Sequence, residues 1–403
     1  MSEIKVEKLT KVFGRQPSRA LELLEQNKTK EEILQETGMT VGVNQASFEV
    51  KEGEIFVIMG LSGSGKSTLV RLLNRLIEPT AGEVWVGDKN VTSMKKEELR
   101  DLRRKKMSMV FQNFALLPHR TIMENAEYGL EIQGVDKSER SKKAQEALEM
   151  VGLGGYLDKY PTELSGGMQQ RVGLARALAN DPDILLMDEA FSALDPLIRK
   201  DMQDELLDLH QSVGKTIIFI THDLDEALRI GDRIALMKNG AIVQIGTAED
   251  ILMDPANDYV ERFVEDVNLA KVLTASHIMK RAENITPDRG PRVALEIMRE
   301  EGISTLYVID KKKKLLGYIS ADQASEAVKE KKSVEDVMST DVPTVAPDTL
   351  LTDLFESAAT SNVPLAVVDE ENRLQGIVVK GAIMGGMAGD EKIINGNGVT
   401  DHG

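Results

Sequence analysis

Cysteine is absent from this chain of 403 residues. Its absence excludes disulfide bonds, thiol catalysis and cysteine-based metal sites, and it is compatible with a cytosolic protein. No apolar run approaches the ~20 residues that a bilayer-spanning helix needs. Residues 1–7 are too polar for a signal peptide. We therefore expect any membrane association to be peripheral, through a partner.

Basic residues are in deficit. There are 50 Lys and Arg against 66 Asp and Glu, a formal net charge of −16. This charge opposes bulk binding to nucleic acid, so we expect no nucleic-acid partner. The length suffices for two or three domains, each with its own core.

Residues 60–68 read Gly-Leu-Ser-Gly-Ser-Gly-Lys-Ser-Thr, the G-x-x-x-x-G-K-S pattern of a phosphate-binding loop. An apolar run before it predicts a buried strand, and leucines at helical spacing after it predict a helix. In that context backbone N–H groups and the helix N-terminus bind a polyphosphate, Lys66 bridges the β- and γ-phosphates, and Ser67 ligates Mg²⁺. The predicted nucleotide-binding residues of this phosphate loop are Gly60, Leu61, Ser62, Gly63, Ser64, Gly65, Lys66, Ser67 and Thr68.

Further polar side chains lie at the ends of predicted apolar strands. Strands that alternate with helices imply an α/β core. A carboxylate at the end of a buried strand can hold the water shell of Mg²⁺, which is the role we assign to Asp188. Glu189 follows it and is placed to deprotonate an attacking water, which predicts hydrolysis rather than binding alone. Gln112 and His222 each follow another such strand.

These features occur in the same order in the ATP-binding subunits of ABC transporters, which residues 1–265 resemble. The shared pieces include Leu-Ser-Gly-Gly-Met-Gln at residues 164–169, the signature stretch, and Ser-Ala-Leu-Asp at residues 192–195. The resemblance implies a P-loop ABC-type nucleotide-binding domain with a RecA-like core, a helical subdomain and an antiparallel β subdomain. Its ligands would be ATP and Mg²⁺.

The resemblance also implies roles for single residues. Phe13, where the family more often has Tyr, would stack on adenine. His222 would contact the γ-phosphate, and Gln112 would reach the metal and the attacking water while it senses the membrane partner. The implied catalytic residues are Glu189, His222 and Gln112. The implied magnesium residues are Ser67, Gln112 and Asp188.

A second copy of the chain is implied as a partner. In this family the signature stretch closes on the γ-phosphate held by the other subunit, so that two ATP molecules lie between head-to-tail subunits. The residues implied for this role are Ser165, Gly166, Gly167 and Gln169, with Asp195 linking the two sites. The alternative for Ser165 is a plain helix N-cap, which it can be as well.

Longer stretches narrow the resemblance. Residues 60–65, 71–80 and 187–199, together with an insert at 14–41, resemble the ATPase of glycine betaine and related quaternary-amine importers of osmotic stress. This implies a location at the cytoplasmic face of the plasma membrane and a transmembrane permease that carries or recruits a substrate-binding protein. The apolar residues 114–119, the docking loop, would accept a helix of that permease.

Two segments of the N-terminal part leave alternatives open. The insert predicts two short helices, at 18–26 and from a capping box at Thr29 to Gly38. It is not basic enough for a DNA reader, so we favour a surface decoration or docking element. The basic run at 95–106 favours a solvated helix face, with a patch for anionic lipid as the sharper alternative.

The C-terminal part, residues 274–390 after a linker at 266–273, repeats itself with an offset of about sixty residues. Each repeat predicts a helix, two strands and a helix, and the pair resembles an α+β tandem CBS domain that binds regulatory adenine nucleotides. The family's ribose-binding Asp falls one residue early, at Asp322 after Ser320, and Val379 and Lys380 replace both polar groups in the second repeat. A cyclic dinucleotide or a ligand-free dimerising module both remain open. The polar, glycine-rich segment from Gly385 predicts a flexible tail, assigned to residues 391–403.

Other classes compete with the importer. One is a soluble ABC ATPase of DNA repair or translation, which co-purification with a membrane protein would exclude. Another is an importer ATPase for a different solute such as an amino acid. A third is a small-molecule kinase, which would not need the signature stretch and would turn over ATP only with an acceptor.

Overall fold

The computed structural model describes residues 2–112, 114–265, 270 and 272–387. The chain divides into two compact units, Met1–Asp266 and Val267–Gly403, here called the N-terminal and C-terminal units. The division falls one residue after the end assigned to the first domain. Most of the linker assigned to 266–273, and all of the tail assigned to 391–403, lie outside the described residues.

The described part of the N-terminal unit contains ten strands in two sheets. In chain order they are β1 Ser2–Phe13, β2 Thr40–Lys51, β3 Ile55–Met59, β4 Ala81–Val86, β5 Lys89–Asn90, β6 Met107–Phe111, β7 Ile184–Asp188, β8 Thr216–Thr221, β9 Arg233–Lys238 and β10 Ala241–Gly246. One sheet has the order β10-β9-β3-β8-β7-β6 and is parallel except for β10, which pairs antiparallel with β9. The other is an antiparallel sheet with the order β2-β1-β4-β5. The predicted α/β core is confirmed.

The described helices of the N-terminal unit pack against both sheets and against one another. They are α1 Pro17–Glu25, α2 Lys30–Thr37, α3 Lys66–Leu73, α4 Lys96–Lys105, α5 Ile122–Ile132, α6 Lys137–Met150, α7 Gly166–Leu178, α8 Pro196–Val213, α9 Leu224–Ile230, α10 Ala248–Met253 and α11 Asp258–Val264. Because side chains alternate along a strand, β3 serves two cores. Val57 and Met59 join the core of α5, α6 and α7, whereas Phe56 and Ile58 join the core under α3 and the antiparallel sheet.

The insert folds as predicted at its second helix. Thr29 and Glu32 form a capping box at the start of α2, and Gly38 ends it with a φ of 68°. The insert is shorter than the assigned 14–41, because Thr40 already begins the long strand β2. A small core that includes Leu24 and Ile33 packs the two helices together. The insert is therefore an ordered helical pair with its own apolar contacts.

The C-terminal unit contains two similar halves. Its strands are β11 Asn284–Ile285, β12 Thr305–Ile309, β13 Leu315–Ser320, β14 Thr344–Val345, β15 Leu365–Val368 and β16 Leu374–Val378. Its helices are α12 Ala275–Ile278, α13 Pro291–Glu300, α14 Ala321–Glu330, α15 Val334–Val337, α16 Leu351–Thr360 and α17 Lys380–Met387. In each half a short strand runs parallel to the first long strand, and the two long strands form a hairpin.

Two details of this unit differ from expectation. The short strands β11 and β14 were not predicted, because two residues carry no periodic signal. The tail prediction from Gly385 is wrong at its start, since α17 runs to Met387. No helix in the described part of the chain is both long enough and apolar enough to cross a bilayer.

Candidate nucleotide site

The phosphate loop curls around the amino group of Lys66. This side chain is 5% exposed, and its Nζ donates to the carbonyls of Gly60 at 2.8 Å and Leu61 at 3.2 Å. Burial lowers the Lys66 pKa, while the nearby carboxylates Glu189 and Asp188 oppose that shift. The loop thus holds a cation that has lost much of its hydration and that a polyphosphate would stabilise.

The backbone of the phosphate loop fits a polyanion. Gly60 and Gly65 have φ of 146° and 105°, in the region that glycine tolerates best. A Cβ atom at Gly60 would collide with the carbonyl oxygen of Met237, so no larger residue fits there. The Ser64 hydroxyl is buried without a hydrogen-bond partner, which leaves a donor available inside the loop. Such a loop has the donors that an ATP phosphate chain needs.

Ser67 and Asp188 lie side by side. The Ser67 hydroxyl donates to Asp188 Oδ1 at 2.9 Å, and Arg71 Nη2 lies 3.4 Å from the other carboxylate oxygen. Hydroxyl and carboxylate oxygens are the hard ligands that Mg²⁺ prefers, so this pair fits a metal site. Gln112, the third predicted magnesium residue, donates its amide to Glu189 and Ser192 instead, at 3.3 and 3.1 Å.

Glu189 lies at the centre of the predicted catalytic residues. Its Oε2 is 3.3 Å from Gln112 Nε2 and 3.5 Å from His222 Nδ1, and its Oε1 is 4.0 Å from Lys66 Nζ. These side chains come from the ends of β6, β7 and β8 and from the start of α3, so the parallel sheet brings them together. A carboxylate in this position can accept a proton next to the phosphate loop.

The backbone of Glu189 is unusual. Its φ is 49°, a left-handed conformation that non-glycine residues rarely adopt. Its N–H donates to the carbonyl of Ile220 at 3.1 Å, which anchors the turn after β7. Such strain costs about 1–3 kcal/mol and occurs often at functional sites. The sequence carries no signal for this conformation.

Phe13 borders the end of the phosphate loop. A Cβ atom at Gly42 would lie 2.7 Å from the Phe13 ring and 3.3 Å from Thr68, so both side chains lie beside that glycine. Phe13 is 41% exposed, and Lys11 Nζ lies 5.1 Å from the centroid of its ring. An exposed aromatic face beside a phosphate loop is suited to a purine base.

The signature stretch lies at the start of α7. The Ser165 hydroxyl accepts a hydrogen bond from the Met168 N–H at 3.4 Å, so it is the N-cap of α7. Gln169 donates to the carbonyls of Pro161 and Leu164, which means that its amide holds the loop itself. Ser165 and Gly166 are exposed, whereas Gly167 is buried against Ile198.

Asp195 is also exposed, and it caps α8 through the Ile198 N–H at 3.1 Å. The contacts described for this chain join Glu189, His222, Gln112 and Lys66. They do not join Ser165 or Asp195 to that group.

The basic run contributes less free charge than its sequence indicates. Arg103 donates to the carbonyls of Asn74 and Arg75 at 2.8 and 2.7 Å, and Lys106 pairs with Asp183. Burial lowers the Arg103 pKa. Arg103 and Lys106 are therefore engaged within the protein, which leaves Arg104 and Lys105 at the end of α4 for the alternative of an anionic-lipid patch.

The fold and the site together define an ATP-binding cassette. The family profile described as ABC transporter matches residues 43–192, and the CBS domain profile matches residues 275–330 and 334–389. A dimeric ATP-binding cassette with ADP and Pi bound is 33% identical, with a TM-score of 0.52 over 61% of this chain and 98% of that one. A cassette of an ABC transporter complex from Clostridium perfringens is 25% identical, with a TM-score of 0.53 over 66% of this chain and 94% of that one.

Relatives of nearly full length narrow the family. The glycine betaine transport ATP-binding protein OpuAA of Bacillus subtilis is 65% identical over 99% of this chain and 96% of that protein. The glycine betaine/carnitine transport ATP-binding protein GbuA of Listeria monocytogenes is 59% identical over 98% of this chain and 100% of that protein. ProV of Escherichia coli, of a glycine betaine/proline betaine system, is 49% identical over 95% of this chain and 96% of that protein.

The chain therefore belongs to this family of ABC-transporter ATP-binding subunits, with an ATP-binding cassette followed by two CBS domains. The resemblance drawn from the sequence is confirmed. The alternatives of a small-molecule kinase and of a soluble ATPase of DNA repair or translation are wrong.

Proposed function

We propose that this chain hydrolyses ATP to power the import of glycine betaine or a related quaternary amine. The relatives' names supply the solute class, because glycine betaine, carnitine and choline all carry a trimethylated nitrogen. The observation that carries the ATPase activity is the Glu189 carboxylate, set between Gln112, His222 and the phosphate-loop Lys66.

The residues divide the reaction among them. Glu189 takes the proton of the water that attacks the γ-phosphorus, while Gln112 and His222 fix the position of that carboxylate and water. Lys66 and the phosphate-loop N–H groups stabilise the negative charge that develops on the phosphoryl oxygens. When bound, Mg²⁺ would be held by Ser67 and Asp188 and would neutralise phosphate charge. Phe13 provides the surface for adenine.

The complete site requires two copies. Ser165, Gly166 and Asp195 are exposed, as residues that meet a partner subunit should be. Leu61 in the phosphate loop and Leu197 beside Asp195 are also exposed, by 58% and 70%, although they are large and apolar. A head-to-tail dimer would cover both leucines and would place each signature stretch over the ATP of the other copy. Two of the similar solved cassettes are dimers.

The docking loop is proposed as the contact with a transmembrane permease at the cytoplasmic face of the membrane. Asn125 clamps this loop, because its amide bonds both the N–H and the carbonyl of Leu117. Pro118 and His119 are exposed next to it. A rigid, exposed loop that starts two residues after Gln112 can transmit the position of a partner to the catalytic residues.

The CBS domains are proposed to regulate the ATPase. Ser320 is engaged as the N-cap of α14, where its hydroxyl accepts from the Gln323 N–H, and Asp322 lies in the first turn of that helix. A mononucleotide bound in the family's usual way is therefore disfavoured. A cyclic dinucleotide, or a dimerising role without ligand, are the two candidates that the uptake experiment separates.

Reconstitution with the permease and its binding protein in proteoliposomes tests the proposal. ATP-driven uptake should be measured for glycine betaine, choline and an amino acid, with and without a cyclic dinucleotide. We expect uptake of the quaternary amines alone. Uptake of only the amino acid would overturn the solute class. Uptake that is indifferent to every cyclic dinucleotide would assign the CBS domains to assembly.

A further inference from the structure

An arginine of the signature helix holds the first two residues of the docking loop. Arg176 lies in the last turn of α7, ten residues after Gly166. Its Nη1 donates to the carbonyl of Ala115 at 2.6 Å, and its Nη2 donates to the carbonyl of Phe114 at 3.0 Å. Both ends of one planar guanidinium therefore bind two successive carbonyls, a geometry that lysine cannot reproduce.

Those two residues have a strained backbone. Phe114 and Ala115 have φ of 54° and 50°, so two consecutive non-glycine residues are left-handed. Single residues of this kind are uncommon, and such conformations persist only where the surroundings hold them. The paired hydrogen bonds from Arg176 are the contacts that hold both carbonyls in place.

The same segment runs along α7. The Phe114 ring lies 3.9 Å from the position of a Cβ atom at Gly166, and its carbonyl lies 3.6 Å from that position at Gly173. Phe114 thus touches α7 from the signature stretch to the turn that carries Arg176. Burial lowers the Arg176 pKa, which agrees with a guanidinium enclosed between the helix and the loop.

We propose that Arg176 is a positioning residue for ATP hydrolysis. By fixing Phe114 and Ala115, it sets the direction in which the chain leaves β6, and so keeps the Gln112 amide on Glu189 and Ser192. It also ties the signature helix to the docking loop, so that the two move together. This inference rests on the proposed ATPase function, in which Gln112 and Glu189 orient and activate the attacking water.

Steady-state hydrolysis and equilibrium nucleotide binding by the full-length chain test this role. The variants are Arg176→Ala and Arg176→Lys, with Arg171→Ala as the matched control. Arg171 is on the same helix and is similarly half-buried, but its described partners are Glu205, at 2.5 Å, and the Val151 carbonyl, both outside the docking loop. We expect Arg176→Ala to lower kcat about tenfold with the Kd for ATP within about twofold, because the phosphate loop and Phe13 are untouched. Arg176→Lys should fall between, and Arg171→Ala should keep the wild-type kcat.

A glycine at position 115 separates positioning from simple destabilisation. Glycine adopts a positive φ without strain, so the loop would need the arginine less. In an Ala115→Gly background we expect the effect of Arg176→Ala on kcat to shrink from about tenfold to less than about threefold, a coupling that a double-mutant cycle measures. If Arg176→Ala only weakened the helix α7, it would lower kcat by the same factor in both backgrounds.

The outcomes are distinct. If Arg176→Ala and Arg176→Lys match the wild type, or if the loss is equal in the Ala115→Gly background, the inference is overturned. If Arg176→Ala does not fold, Arg176→Lys with and without the Ala115→Gly substitution decides the question in the same way. Failure of the wild-type chain to hydrolyse ATP in any assembly would instead overturn the proposed function.

Discussion

The two units use polar side chains in opposite ways. Among the residues described, every buried charged side chain lies in the N-terminal unit, including Lys66, Asp188 and Glu226. In the C-terminal unit the polar side chains shape turns instead. Asp310 and Asp369, at equivalent positions of the two halves, each accept two backbone N–H groups of a hairpin turn.

This difference between the two units indicates that they have different roles. Burying a charge costs several kcal/mol unless partners or a ligand compensate it. In the N-terminal unit the buried charges lie at the end of a parallel sheet, where a bound triphosphate would offset part of this free energy. The buried residues of the described core of the C-terminal unit are apolar apart from the hydroxyl of Tyr307, which donates to the Pro364 carbonyl at 2.6 Å. We infer that catalysis resides in the first unit and that the second acts through its shape and surfaces.

The largest expected effect is the loss of hydrolysis in Glu189→Gln. The amide keeps the size of the side chain but cannot accept the proton of water, so kcat should fall by at least about a hundredfold. ATP binding should persist, because Lys66 and the phosphate loop are unchanged. Nucleotide binding and phosphate release measure the two effects, with Glu146→Gln, an exposed carboxylate on α6, as the control. Hydrolysis near the wild-type rate in Glu189→Gln would remove Glu189 as the base.

Nucleotide should stabilise one unit only. At a concentration of about 100 times Kd, ATP should raise the free energy of unfolding of the N-terminal unit by about 2.7 kcal/mol. Scanning calorimetry of the full chain should therefore show one transition that moves and one that does not. Lys66→Ala should abolish the shift. A matching shift of the second transition would show that the CBS domains bind ATP themselves and would contradict the assignment of ATP binding to the N-terminal unit alone.

A glycine of the C-terminal unit should matter for stability alone. A Cβ atom at Gly376 would lie 2.8 Å from the carbonyl oxygen of Lys280, where the two halves pair. A Cβ atom at the equivalent Gly317 would lie 2.5 Å from the carbonyl oxygen of Ser339. Gly376→Ala should destabilise this unit by roughly 1–3 kcal/mol. Gly381→Ala, which meets no atom within 4 Å and lies in α17, should be neutral or stabilising by up to about 1 kcal/mol.

Thermal unfolding and ATP hydrolysis by the isolated chain measure both glycine variants. The hydrolysis rate of Gly376→Ala should remain at the wild-type value. A loss of hydrolysis that parallels the loss of stability would contradict the assignment of separate roles to the two units.

The smallest effect concerns a buried carboxyl of the first unit. Burial raises the Glu226 pKa, despite hydrogen bonds from Thr221 and Gln203. The folded state therefore binds the Glu226 proton more tightly than the unfolded state does. The stabilisation of the fold by this proton is fully present below the ordinary pKa of Glu, and it is lost as the pH rises through the raised pKa. Glu226→Gln should therefore flatten the decline in stability as pH rises from about 4.5. A denaturation series against pH measures it, and a steeper decline in the variant would contradict the sign.

Local pattern was sufficient for much of the first unit. The phosphate loop, the strand that precedes it and the capping box of α2 each depend on residues close in sequence, so they could be predicted. The signature stretch and the repeat of the C-terminal unit could also be predicted from the sequence. The family resemblance then supplied roles for Gln112 and His222 that no spacing rule gives.

Other features depend on tertiary contacts. The left-handed backbone of Glu189, the carbonyls held by Arg176 and the pairing of Ser67 with Asp188 join segments that are far apart in sequence. The charge of Arg103 and Lys106 appeared available, but both side chains find partners on neighbouring elements. A local pattern cannot reveal such contacts, so the sequence did not show that two of the basic side chains are engaged within the protein.

The most direct test of the proposed mechanism is whether two copies share each ATP site. The Lys66→Ala and Ser165→Arg chains should each hydrolyse no ATP when expressed alone. The two chains are co-expressed with different tags, and the heterodimer is isolated through both tags. If the signature stretch of one copy completes the phosphate loop of the other, the heterodimer has one intact site and should hydrolyse ATP at about half the wild-type rate. A heterodimer that hydrolyses no more ATP than either variant alone would contradict the shared ATP site.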